Sequence, residues 1–208
     1  MEKAAGIIST GSFLPEKVLT NFELEKMVDT SDEWIRTRTG ISERRIAPEG
    51  MACSDMGSEA ARRAMETGKV KPDEIDLIIV ATFTPDMFYP NTACLIQDKI
   101  GAKRAACFDI SAACTGFIYG LAMAKASIVT GEHKTVLVVG SEVLSRVTDW
   151  TDRASCVLFG DGAGAAIVKS APEGRGILAT ELWADGSKAE LLELPGGGSR
   201  HPASHESI

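Results

Sequence analysis

Ala105-Ala-Cys-Phe-Asp-Ile-Ser-Ala-Ala-Cys-Thr-Gly-Phe-Ile-Tyr-Gly-Leu121 decides how the rest of the chain is read. Its first six residues form a short apolar run that predicts a buried strand. Small residues follow, then Cys114, then a helical pattern in which Phe117, Ile118, Leu121, Ala122, Ala124 and Ile128 recur at helical spacing and Gly131 supplies a stop. Cys114 is thus predicted at a strand-to-helix turn, flanked by Ser111, Ala112, Ala113 and Gly116. A thiolate there would face unpaired backbone N–H groups and the positive end of the helix dipole, which lowers a thiol pKa. The same N–H groups can receive an oxyanion when a thioester carbonyl is attacked. From the residues alone two readings of Cys114 stand side by side: an activated nucleophile, and a buried core thiol.

Working outward, apolar runs alternate with helical patterns. Residues 4 to 11 predict a first strand, and Thr20 or Asn21 caps a helix through Phe22, Leu24 and Met27. Thr30-Ser-Asp-Glu33 has capping-box form and opens a short helix carrying Trp34 and Ile35. Ser54 to Gly68 is amphipathic, and Ile75 to Thr82 is a continuous apolar run of the kind found in strands covered on both faces. A proline-rich loop with Phe88 and Tyr89 follows, then a helix to Gly101, the Cys107 strand, the Cys114 helix and a strand from Thr135 to Ser141. Strand and helix in alternation predict an α/β fold with a largely parallel sheet.

The bulk properties narrow the function classes. The chain has 208 residues, 44% hydrophobic content and a formal charge of -7, with a sequence pI of about 5.1. That charge argues against nucleic-acid binding, which needs a basic face. No apolar run is expected to span a membrane, and Met1-Glu-Lys-Ala lacks signal-peptide form. Cysteines 53, 94, 107, 114 and 156 include no C-x-x-C pair, and the three histidines lie apart from them. A metal site is therefore not expected, and reduced thiols suggest the cytoplasm.

Two further stretches invite a ligand. Arg36-Thr-Arg-Thr-Gly40 beside Trp34 could hold phosphates and stack a base, although local sequence favours a solvated helix face with one core tryptophan. Phe159-Gly-Asp-Gly-Ala-Gly-Ala165 is not a dinucleotide loop, because Val157-Leu-Phe159 leads in and Ala165-Ala-Ile-Val168 leads out as a strand rather than a helix. Its glycines predict a tight turn or close backbone approach between two strands. Beyond Gly186 the sequence passes through Glu190-Leu-Leu-Glu-Leu-Pro195 into a polar, loop-like stretch.

Taken together, Thr30-Ser-Asp-Glu-Trp-Ile-Arg-Thr-Arg-Thr-Gly-Ile41, the Cys114 motif, Thr151-Asp-Arg153 and the Phe159–Ala165 motif resemble the β-ketoacyl-acyl carrier protein synthase III family. The resemblance runs from about residue 4 to residue 195. It implies a thiolase-like layered α-β-α core, with residues 1–195 as the nucleophile-bearing N-terminal half of a duplicated fold and 196–208 as a polar loop beyond it. It implies an acyltransferase that initiates fatty-acid synthesis: the cysteine matching Cys114 takes an acetyl or short acyl group from acyl-CoA, and the acyl-enzyme condenses with malonyl-acyl carrier protein with loss of CO₂. No permanently bound cofactor is implied; the CoA thioester is a substrate. Trp34 and Arg153 match the residues that sandwich the CoA adenine, and Thr30 and Arg38 match contacts to the nucleotide end. Phe159 and Leu191 match walls of the acyl pocket. Tyr89 matches the aromatic that crosses a homodimer axis to close the neighbour's pocket. The family's catalytic histidine and asparagine have no counterpart here; His133, His201 and His205 match neither, so the chain alone is expected not to complete condensation. Other acyl-CoA condensing enzymes, such as hydroxymethylglutaryl-CoA synthase or ketoacyl synthases of secondary metabolism, share much of this pattern. A non-enzymatic assembly module would leave Cys114 no more reactive than Cys53 or Cys94.

Overall fold

The continuous apolar runs end up in the middle of a mixed five-stranded sheet. The computed structural model describes residues 4–172 and 174–204. Its elements are β1 (Ala4–Phe13), β2 (Lys17–Thr20), α1 (Asn21–Leu24), α2 (Asp32–Thr39), β3 (Glu43–Ile46), α3 (Cys53–Gly68), β4 (Leu77–Ala81), α4 (Thr92–Ile100), β5 (Ala106–Ile110), α5 (Gly116–Thr130), β6 (Thr135–Val143) and β7 (Asp161–Ala171). The sheet order is β1-β7-β6-β4-β5. Strand β4 pairs in parallel with β5 and β6, whereas β7 is antiparallel to both β6 and β1. The expected parallel character therefore holds only around β4. Between β6 and β7 the chain forms no α-helix, and without a helical crossover the returning strand runs antiparallel.

Successive strand residues point to opposite faces, so both faces of β4 and β6 need cover. Ile78, Val80, Leu137 and Val139 pack under α3 and α4. Leu77, Ile79, Val136 and Val138 pack under α5. Each fully buried side chain of this kind contributes about 1.5–3 kcal/mol relative to exposure. The result is the layered α-β-α arrangement expected.

Helix α5 meets the sheet differently from the sequence expectation. Its buried positions are Gly116, Gly120, Ala124 and Ile128, four apart, while Ile118 is 47% exposed. A Cβ at Gly120 would lie 2.8 Å from Val138 Cγ1, and one at Gly116 would lie 3.0 Å from Ala81 Cβ. Glycine lets the helix axis approach the strands at this distance. The span Ala113–Thr130 has mean hydropathy 1.3 and is long and apolar enough to cross a membrane by length and composition, which corrects the expectation that no run reaches that length. In the fold it lies along the sheet. Strand β5, expected to be buried, is at the sheet edge and half exposed, because nothing among the described residues pairs with its outer side.

A second, smaller assembly joins the ribbon β2–β3 to α1 and α2 around Leu24, Ile35, Cys156 and Val157. The polar run Glu43–Ile46 forms β3, and its Arg44 is buried. The Arg44 guanidinium donates to Asn21 Oδ1 (2.8 Å) and to the Val157 carbonyl (2.8 Å), fastening this assembly to the segment before β7. Val157–Phe159 is not a strand, and Asp161 already begins β7, so the glycine motif enters the strand rather than turning between two. Close approach does hold: a Cβ at Gly160 would stand 2.8 Å from Arg44 Cβ. Residues 178–204 run largely exposed, with a kinked 3-10 stretch at Gly186–Leu191 among the described residues. His205 and the rest of residues 205–208 lie outside the described residues.

Candidate active site: a cysteine cavity and an arginine-flanked tryptophan

Cys114 occupies the 3-10 turn Ala113–Thr115 that joins β5 to α5, one turn ahead of the helix proper. Ala113 takes a left-handed φ of 44°. An L-residue held there costs about 1–3 kcal/mol and persists only where its surroundings over-determine it. Here the strain fixes the turn that presents the thiol, and Cys114 is exposed. The other cysteines differ in setting. Burial pushes the Cys53 thiol up to about 11 and the Cys107 thiol up to about 12. Burial also raises that of Cys156.

Cys114 opens into a cavity of about 1030 Å³ whose wall includes Phe117, Phe159 and Leu191. The two pocket residues matched through the resemblance thus share one hollow with the cysteine. Leu191 closes it loosely, at 75% exposure. Neither histidine nor asparagine lines the described wall. His133 sits at the far end of α5, its Nδ1 2.5 Å from Ser127 Oγ.

Two carboxylates, the buried Asp161 beside the hollow and the half-buried Glu142 on its wall, were not foreseen. Asp161 accepts from the Ala47 N–H (2.6 Å), the Ser145 N–H (2.8 Å) and the Ser145 hydroxyl (2.6 Å), tying the segment after β3 and the turn after β6 to the start of β7. Glu142 lies on the cavity wall and accepts from the Phe83 and Thr84 N–H groups. Burial pushes its carboxyl up, opposed by these hydrogen bonds.

The tryptophan site is built on α2. Ser31, not Thr30, caps α2 by accepting from the Trp34 N–H (3.1 Å). Thr30 Oγ1 is buried without a hydrogen-bond partner. The Trp34 ring packs on the small core while the Arg38 and Arg153 guanidinium carbons stand 4.9 and 4.7 Å from its centroid. Two cations on one indole make a surface suited to a base and its phosphates, since guanidinium groups both stack on π-faces and grip phosphate bidentately. Arg153 also pairs loosely with Asp29 at 3.8 Å. The cysteine cavity extends to Asp149 and Asp152, the latter next to Arg153 in sequence, so hollow and clamp adjoin. Tyr89 belongs to neither: it is 85% exposed on the loop after β4.

Comparison with known proteins bears on this arrangement. The family described as 3-Oxoacyl-[acyl-carrier-protein (ACP)] synthase III matches residues 108–186. Beta-ketoacyl-[acyl-carrier-protein] synthase III of Caldanaerobacter subterraneus subsp. tengcongensis is 60% identical over 205 residues, covering 99% of this chain and 62% of that protein. Over almost its whole length the chain is similar to members of the β-ketoacyl-acyl carrier protein synthase III family. It spans about 62% of the length of that curated relative. The crystal structure of the synthase III from Aquifex aeolicus VF5 matches with TM-score 0.85 at 55% identity, over 88% of this chain and 59% of that one. That from Pseudomonas aeruginosa PAO1 matches with TM-score 0.88 at 37% identity, over 95% and 62%. The fold is thus the thiolase-like arrangement of synthase III, as expected.

Some of this candidate site was legible in the sequence and some was not. Cys114, Phe159 and Leu191 come together, as do Trp34, Arg38 and Arg153. Asp161 could have been found, since an aspartate between two glycines invites a loop-tying role. Glu142 carried no signal beyond an acidic residue at the end of an apolar run.

Proposed function

We propose that Cys114 accepts an acetyl or short acyl group from acyl-CoA and that the acyl-enzyme goes on to condense with malonyl-acyl carrier protein, initiating fatty-acid synthesis. The observation that carries this is the continuity of the Cys114 cavity with the segment bearing Arg153, whose guanidinium faces Trp34. That continuity suits a ligand with a reactive acyl end and a nucleotide end. In the transfer, the Cys114 sulfur bonds to the thioester carbonyl carbon, a tetrahedral oxyanion forms, and the C–S bond to CoA breaks; the CoA thiolate leaves and takes up a proton. One thioester replaces another, so the step is nearly isoenergetic, and the covalent intermediate divides a difficult reaction into two easier ones. Malonyl decarboxylation then supplies the carbanion that attacks the acyl carbonyl and returns the Cys114 thiolate. Since no histidine or asparagine lines the described cavity wall, acyl transfer is the step we assign to this chain's own residues.

Trp34, Arg38, Arg153 and Thr30 would bind the nucleotide end. The CoA thioester is a substrate rather than a resident cofactor, and the compartment is the cytoplasm. We assign a homodimer in which the exposed Tyr89 reaches a neighbouring chain and limits primer length. The test of the donor site is Trp34→Ala: the acetyl-CoA concentration needed for half-maximal acylation of Cys114 should rise about tenfold, the equivalent of 1.4 kcal/mol. An unchanged requirement would remove the tryptophan from the donor site.

A further inference from the structure

Glu142 gathers four donors onto its two carboxylate oxygens. Oε1 accepts from the Phe83 N–H at 3.0 Å. Oε2 accepts from the Thr82 hydroxyl at 3.2 Å, from the Thr84 N–H at 3.1 Å, and from the Thr84 hydroxyl. The Thr84 oxygen in turn accepts from the Val143 N–H at 2.9 Å, so the loop is fastened to β6 on both sides of one side chain. These contacts fix the first three residues after β4, and one of them, Phe83, lines the cavity that holds Cys114. Glu142 lines the same cavity yet spends its acceptors on this loop rather than on the thiol.

We propose that Glu142 is a positioning residue that sets the acyl-chain specificity of the Cys114 cavity by holding the Thr82–Thr84 loop so that Phe83 forms a fixed wall. This deepens the reading of Cys114 as acyl acceptor and rests on it. The chemistry demands a carboxylate. A glutamine offers one acceptor oxygen and an amide that only donates, so either the Phe83 N–H or the Thr82–Thr84 donors would face another donor. The loop then releases, and Phe83 no longer bounds the hollow.

The test compares N-ethylmaleimide with N-hexylmaleimide at Cys114 in the full chain and in Glu142→Gln, with sites assigned by peptide mass mapping. The ratio of hexyl to ethyl rates should rise by about threefold or more, because a change of a few methylenes in wall contact is worth that much selectivity. The ethyl rate should stay within about twofold. An unchanged ratio overturns the proposal, and so does a parallel fall in both rates, which would mean that Glu142 acts on the thiol or on the whole fold. Labelling of buried Cys53 would reveal unfolding; Thr84→Val, which deletes one donor to Glu142 and the link to Val143, then decides by the same ratio. Maleimides need no CoA site, so a shifted ratio in a chain that takes no acyl group from CoA would retain the wall and refute the donor reading.

Discussion

Cys114 and Cys107 lie seven residues apart, yet their surroundings separate their chemistry. Cys107 sits in the half-exposed edge strand, but local burial lifts its thiol to about 12. Cys53 points inward, donating to the Ser141 carbonyl at 3.1 Å, and stands at about 11. A thiol raised this far is protonated below its pKa and gains thiolate only as pH climbs toward it. At pH 8 a thiol of pKa about 12 holds on the order of one part in ten thousand as thiolate. Iodoacetamide at pH 7 to 8 should therefore alkylate exposed Cys114 well ahead of Cys53, Cys107 and Cys156. Equal labelling of Cys53 and Cys114 in the folded chain would contradict the setting assigned to each. The sequence could place Cys114 at a turn because strand and helix patterns met there. It could not show the left-handed Ala113, since alanine carries no mark of the backbone it adopts.

Helix α5 shows how a periodic pattern can identify an element and still misassign its face. Phe117 and Leu121 do pack against the sheet, but the helix seats itself on Gly116 and Gly120. A sum of apolar side chains gives glycine little weight, yet here the absent Cβ sets the helix-to-strand distance. Gly120→Leu should destabilise the fold by about 1–3 kcal/mol through overpacking against Val138 and Ile79, measured as a lower urea midpoint. A midpoint unchanged from the parent would show that α5 has room to move. In α2, the cap was expected at Thr30 and falls at Ser31. That one-residue shift leaves the Thr30 hydroxyl unspent beside the Trp34 clamp.

At the scale of the molecule, the α/β class was readable because β4 and residues 136–139 of β6 are apolar at every inward and outward position. Residues 4 to 11 and 165 to 168 were also legible as strands, but the antiparallel pairing of β1 and β7 was not, since an apolar run does not mark the direction of its partner. The ribbon β2–β3 was missed because Arg44 is buried through hydrogen bonds that no periodicity encodes. The exposed loop after β4 places Phe88 and Tyr89 in solvent, at 80% and 85% exposure, on a single chain. If a second chain covers them, Tyr89→Ala should admit longer or branched acyl-CoA primers in acylation assays; an unchanged primer preference would detach Tyr89 from the pocket. The central claim is that the cavity, the clamp and Cys114 form one acyl-accepting site. Incubation with acetyl-CoA followed by intact and peptide mass spectrometry tests it most directly. The account predicts a single acetyl group, carried by Cys114. A folded chain that takes up none, or acetyl spread evenly over all five cysteines, would contradict it.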